Sequence, residues 1–455
     1  MTATDAAVAA SPPDRPGYRY YVLAVLILVY MLNFLDRQII GILATPLKAH
    51  FNLSDTQFGL LGGLAFASVY STLAIPLAWL ADRFSRVWIM TGALAVWSGF
   101  TALCGVAGSF GQLFLFRMGV GVGEAGGVAP AYSLISDYFP RHQRARALAA
   151  YAFGIPLGTA AGTLVGGVLA AKFGWQTAFI AVGLLGVLVA PLLRLTVRDP
   201  KRGGLDAPTV AAVTPPPAQP ANVKAPSFGS VCKTVLPKPS FWLLALGAAA
   251  SSVCGYGVAG WLPSFFMRSF DLTLIQTSWY YSGIALIGGI AGIWGGGVLA
   301  DRLGKASKGA YPLVPAIAFL ISAPCFLLAM NSGWLIEQVL PGGGGNSVGA
   351  LTLAFLIFLI PTGLNLTWLG PITAAVQHLV PAPMRTTASA LFLLINNLLG
   401  IAVGFYYFGF MSDLLAPRFG EESLRWAIYT GLGFYVLSSI LLIGASWTLK
   451  KDWVE

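Results

Sequence analysis

Twelve apolar runs dominate the chain, with cores near 20–45, 57–80, 87–107, 112–138, 145–171, 175–195, 241–267, 276–300, 311–330, 349–379, 386–415 and 424–448. Each is long enough for a helix of about 20 residues to cross a bilayer core about 30 Å thick. In lipid every backbone polar group must be satisfied inside its own segment, so such runs become helices. With 56% hydrophobic and 10% charged residues over 455 positions, a water-soluble globule is excluded. The expectation is an all-α polytopic membrane protein with twelve transmembrane helices in two six-helix bundles.

The net charge of +10 follows from topology and does not require a nucleic-acid partner. With a cytoplasmic N-terminus, 20 of the 27 Lys and Arg fall on the cytoplasmic side and 5 on the other, while Arg37 and Arg117 stay inside helices. That satisfies the positive-inside rule and predicts that both termini are cytoplasmic. The first run is interrupted by Asp36-Arg37 and reads as a retained helix, not a signal peptide. Cys104, Cys232, Cys254 and Cys325 have neither metal-ligand nor disulfide spacing.

The domain plan is a tail at 1–17, a six-helix bundle at 18–197, a cytoplasmic linker at 198–239, a second bundle at 240–449 and a tail at 450–455. The linker contains Pro215-Pro216-Pro217 and several lysines and is expected to carry no packed core. Ser54-Asp55-Thr56-Gln57 has the form of a capping box opening the second helix.

An internal repeat supports two halves. Ala81-Asp82-Arg83-Phe84-Ser85-Arg86 follows the second run and Ala300-Asp301-Arg302-Leu303-Gly304-Lys305 follows the eighth, the two aspartates being 219 positions apart. Pro140 with Arg144 after the fourth run is matched by Pro381 with Arg385 after the tenth. Such parallel repeats imply halves related by an axis along the membrane normal.

These loops resemble the signature loops of the major facilitator superfamily. Asp82-Arg83-Phe84-x-Arg86, together with Asn33-Phe34-Leu35-Asp36-Arg37, Arg117-x-Gly119-x-Gly121-x-Gly123-Glu124 and Ile155-Pro156-Leu157-Gly158, is similar to the spinster branch, whose members transport sphingolipids and lysolipids. The resemblance implies a gate on the cytoplasmic side built from Asp82, Arg83, Arg86, Arg144, Asp301, Arg302, Lys305 and Arg385. It also implies contacts between the halves through helices two, five, eight and eleven. Glycines at every fourth position, Gly154 to Gly166 in the fifth run and Gly288 to Gly296 in the eighth, give faces where helices can approach and slide.

Asp36, Arg37, Arg117 and Glu124 sit inside apolar runs, where a charge costs about 2.5–3.5 kcal/mol on insertion scales. Helical rise puts Asp36 and Arg117 at nearly the same level and Glu124 about 10 Å deeper. They are read, with Asn33, as a buried network lining a cavity, whose carboxylates exchange protons. The alternative is a structural network stapling helices one and four. In the second half Tyr256, Tyr280, Asn365, Trp368 and Asn396 are the cavity candidates, although each is also compatible with helix packing.

A glycine-rich stretch near Gly121 fits a dinucleotide fingerprint by spacing alone, but it lies inside a hydrophobic helix, and there is no P-loop. No nucleophile or metal constellation is visible, so an enzyme is not expected. The expectation is a monomeric, proton-coupled secondary transporter in the plasma membrane, or the inner membrane of a bacterium. It would need no cofactor beyond the proton gradient and would bind the bilayer, protons and a small amphipathic molecule. A drug/proton antiporter, an organic-anion symporter and a receptor without turnover are the rivals.

Overall fold

The computed structural model describes residues 16–200, 228–304, 307–339, 348–381 and 384–454. Six rods make the first half: α1 (Pro16–Ile42), α2 (Asp55–Arg83), α3 (Arg86–Cys104), α4 (Phe110–Glu124 continued by Val128–Tyr138), α5 (Arg141–Ala152 continued by Gly154–Phe173) and α6 (Trp175–Thr196). Six make the second: α7 (Pro239–Ser269), α8 (Leu274–Gly304), α9 (Ala310–Met330), α10 (Val348–Leu364 continued by Leu369–Gln377), α11 (Arg385–Asn397 continued to Phe419) and α12 (Ser423–Gly431 continued by Gly433–Asp452). Among the described residues nine stretches are long and apolar enough to cross a membrane, and one of them, Thr387–Asp452, holds both α11 and α12.

Local chemistry explains the ends and breaks. Ser54 accepts from the Gln57 amide while the Gln57 side chain accepts from the Ser54 amide, the reciprocal capping box that starts α2. α4 breaks where Gly126 and Gly127 follow Glu124, and α11 widens into a π-helical segment, Leu398–Val403. Both halves place their chain ends on one face. There Tyr18 donates to the Thr196 carbonyl at 2.8 Å, and Lys238 donates to the carbonyls of Leu379 (2.7 Å) and Asp452 (2.9 Å).

Two expectations need correction. The linker's end is structured: Phe228–Val235 is a helix with Val231 and Val235 buried, packed on the start of α11. Its apolar residues recur at helical spacing and find a partner surface, which overrides the polar composition of the segment before it. Residues 201–227, with the triple proline, lie outside the described residues. The every-fourth-residue glycine faces serve their own halves and not the contact between them. A Cβ on Gly158 would lie 2.3 Å from the Met31 carbonyl oxygen of α1, and one on Gly292 2.0 Å from the Gly363 oxygen of α10. Between the halves α5 meets α8 through Ser282, which donates to the Ala160 carbonyl at 2.9 Å, and α2 meets α11 where Gly59 faces the Phe405 carbonyl.

Candidate functional site

Consecutive residues on α1 point about 100° apart, and this divides Asp36 from Arg37. Asp36 is 2% exposed and turns into the first half's interior, where its carboxylate neighbours Arg117 and Glu124 of α4 and Trp97 and Thr101 of α3. Arg37 donates its Nε hydrogen to Glu124 Oε2 at 2.7 Å, and its guanidinium lies 4.5 Å from the centre of the Tyr70 ring and 5.0 Å from that of Phe66. Arg117 is 1% exposed and lies 5.6 Å from the Phe66 ring centre, while its Nη1 reaches the Asp36 carbonyl oxygen at 3.5 Å. Asn33 is buried beside Glu124. Two arginines and two carboxylates therefore close a nearly dry cluster around an aromatic ring, with the charges compensated as burial requires.

The glycines of α4 make this cluster possible. A Cβ on Gly119 would lie 2.4 Å from the Phe100 ring, on Gly121 2.6 Å from the Phe66 carbonyl oxygen, and on Gly123 2.4 Å from the Trp97 amide nitrogen. Any side chain there would push α2 or α3 away from the charges. The stretch that mimics a nucleotide fingerprint is thus a packing surface.

A cavity of about 140 Å³ lies between the halves, lined by α1, α5, α7, α8, α10 and α11. Of the four internal charges only Arg37 reaches it; Asp36, Arg117 and Glu124 lie behind it, with Asn33, and do not line it as expected. Across the cavity stand Tyr256, Asn365 and Trp368, and Tyr256 approaches Arg37. Tyr280 is not part of the wall: its hydroxyl donates to the Leu351 carbonyl at 2.6 Å, and its neighbour Tyr281 lines the cavity instead. Asn396 sits one layer back, accepting from the wall residue Ser252 at 2.9 Å. Phe34, Pro156 and Phe405 supply an apolar wall.

Sequence reasoning missed the seal on the face away from the chain ends. Asp55, 4% exposed, accepts a bidentate pair from Arg268 of α7 (2.8 and 2.7 Å), a bond from Ser412 of α11 (2.7 Å) and one from Lys48. Asp413 in turn accepts from the amides of Asp55 (3.1 Å) and Thr56 (2.7 Å), so a carboxylate of one half caps a helix of the other. This uses the exposed amides and positive end of the α2 dipole. The only sequence signal was the capping box, which marks the helix start and says nothing of its distant partner.

On the opposite face Arg86 bonds wholly inside the first half. It donates to Asp199 (2.9 Å), Ser133 (2.8 Å), the Pro200 carbonyl (2.8 Å) and Asp137, which ties α3 to the ends of α4 and α6 and does not bridge the halves. Arg144 donates to the Phe139 carbonyl at 3.0 Å. Arg83 lies 3.5 Å from the Trp79 ring centre, and Asp82 and Arg302 are exposed. Arg385 opens α11 half-buried, Asp301 stands in the last turn of α8, and Lys305 lies outside the described residues.

Two bundles around a central cavity, each with a signature loop on the same face, form the architecture of a membrane transporter. The Major Facilitator Superfamily model matches residues 26–405, and the chain belongs to that superfamily; it is a transporter and not an enzyme. It is 32% identical to an MFS-type efflux pump of Mycolicibacterium smegmatis, covering 98% of this chain and 96% of that protein. It is 30% identical to human Protein spinster homolog 1, covering 96% and 82%. The crystal structure of a bacterial homolog to the human lysosomal transporter spinster, in an inward-facing and unoccupied conformation, is similar with a TM-score of 0.78 and 30% identity, covering 98% of this chain and 100% of that one.

Proposed function

We propose that the chain is a proton-coupled secondary transporter of a small amphipathic molecule. The carrying observation is the Arg37–Glu124 pair, which joins a sealed carboxylate to the cavity wall through one side chain. A carboxylate that loses its cation in an apolar interior takes a proton, and one that regains it releases the proton. Movement of Arg37 toward a cavity ligand therefore couples substrate occupancy to protonation of Glu124, with Asp36 and Arg117 as the second pair. The cavity lining mixes polar groups, Arg37, Tyr256 and Asn365, with apolar ones, Phe34, Pro156 and Phe405, and the Phe34 ring centre lies 5.1 Å from the Arg37 guanidinium, a combination that suits an amphipathic molecule.

The seal at Asp55 and Arg268 closes the outer side in this reading, and both termini face the cytoplasm of a cell whose plasma membrane holds the protein. Support comes from the distribution of Lys and Arg and from the inward-facing state of the similar crystal structure. Drug/proton antiport is the second reading, favoured by the similarity to an efflux pump. Purified protein in liposomes, given an imposed pH gradient, separates the readings. Gradient-driven accumulation of single-chain amphiphiles supports the first, accumulation of bulky lipophilic cations alone supports the second, and flux indifferent to the gradient overturns both.

A further inference from the structure

Asp36 has a polar environment on α3 that the pairing of Arg37 with Glu124 leaves unexplained. Trp97 and Thr101 are four residues apart, hence on one face of α3, both are fully buried, and both neighbour the Asp36 carboxylate. Asp36 Oδ1, Trp97 Nε1 and Thr101 Oγ1 are all enclosed, and the two α3 groups stand within hydrogen-bonding reach of the Asp36 carboxylate without a well-formed bond to it in this state. Buried polar atoms are satisfied in nearly all native structures, so three facing one another form a site that is completed at some point of the working cycle. The backbone fixes Trp97 closely: α4 passes with Gly123 against its amide nitrogen and Gly127 within 3.6 Å of its ring, measured from an added Cβ. Close passage of α4 leaves the indole little room to move.

We propose that Trp97 and Thr101 are positioning residues for proton coupling, donating to the Asp36 carboxylate when it is charged and so fixing the rotation of α1 that presents Arg37 to Glu124 and the cavity. The two differ usefully. The indole only donates, so it favours the charged form, the stronger acceptor, and cannot receive the acid proton, whereas the Thr101 hydroxyl can turn and accept from the protonated acid. The other titratable or charged groups around Asp36 are Arg117 and Glu124 on α4 and the Cys104 thiol on α3. Arg117 supplies the charge, and the α3 donors supply direction. This inference rests on the proton-coupled reading.

The test follows the pH dependence of the outer seal in liposomes. Spin labels at His50→Cys and Ala416→Cys, exposed positions of opposite halves on the sealed face, report the open fraction from their distance distribution in a background lacking the four native cysteines. The parent should show an open fraction that changes with pH. Thr101→Val and Trp97→Phe each remove a donor to the charged form, so the midpoint should rise by roughly half to one pH unit, the size of one such bond. Thr101→Ser should restore the parent midpoint. Midpoints that stay fixed in both donor-lacking variants overturn the role of α3 while leaving proton coupling intact. A parent with no pH dependence overturns the coupling itself, and this inference with it.

Discussion

Asp55 on α2 and Arg268 on α7 join the two halves through a bidentate pair at 2.7 and 2.8 Å, and they do so at the helix start that Asp413 caps from α11. A planar guanidinium matched to a carboxylate holds orientation as well as charge. Asp55→Asn keeps the size and loses the charge. For a pair between surface-exposed and fully buried, the loss should be about 2 kcal/mol, or about a thirtyfold shift toward outer-open forms. Labelling of a cysteine placed beneath the seal should accelerate accordingly, and an unchanged rate would show that Asp413 and Ser412 hold the face alone.

Glu124→Gln and Asp36→Asn should each abolish transport driven by a pH gradient while the protein still folds and reaches the membrane. Glu124→Gln also leaves Arg37 without its counter-ion at the cavity wall, so binding of anionic amphiphiles should tighten and lose its pH dependence. Calorimetric binding across pH 5–8 beside the transport assay checks both. Wild-type accumulation in both variants would make the carboxylates structural.

Asp82→Asn tests the signature loop. If the aspartate braces the closed state of the face that carries the termini, the neutral variant should favour forms open on that face without unfolding. Maleimide labelling at cavity positions reached from that side should quicken, and normal labelling with normal transport would assign the loop to anchoring alone.

Asp199 lies beyond α6 and shows how the same face responds to acid. Burial raises its carboxyl affinity for protons, but hydrogen bonds from Ser85 and Arg86 and the Arg86 charge outweigh this and hold it below the usual carboxylate range. A group lowered on folding stabilises the fold above its unfolded value of about 3.9, and that contribution disappears as pH falls through the lower, folded value. Asp199→Asn should therefore lower the melting temperature at pH 7 and converge with wild type as pH falls through that lowered, folded value. A constant difference across that range would show that its hydrogen bonds, not its charge, matter.

Trimming Thr214 to Ala221 should leave transport nearly intact. Val235→Ala, by contrast, removes methyl groups from a fully buried site between the linker helix and α11 and should cost roughly 1–3 kcal/mol. Thermal melting in detergent distinguishes the two, and a collapse on trimming would mean that the excised residues pack.

Helix number, the two halves and the internal charges were legible in the sequence because they rest on local quantities: run length, burial cost and a motif repeated at 219 residues. The capping box was equally legible, since its partners are three residues apart. Partner choice was not. Nothing in the sequence assigns Arg268 to Asp55 across 213 residues, or Arg86 to Asp199 across 113, because such pairs depend on how rods of one half are rotated against their neighbours. The same rotation decided that Arg37 faces the cavity while Asp36, one residue earlier, faces α3, and that Tyr281 and not Tyr280 joins the wall. A helix places successive side chains about 100° apart, so hydropathy fixes the rod, and only the packing of twelve rods fixes which of its faces meets protons, substrate or lipid.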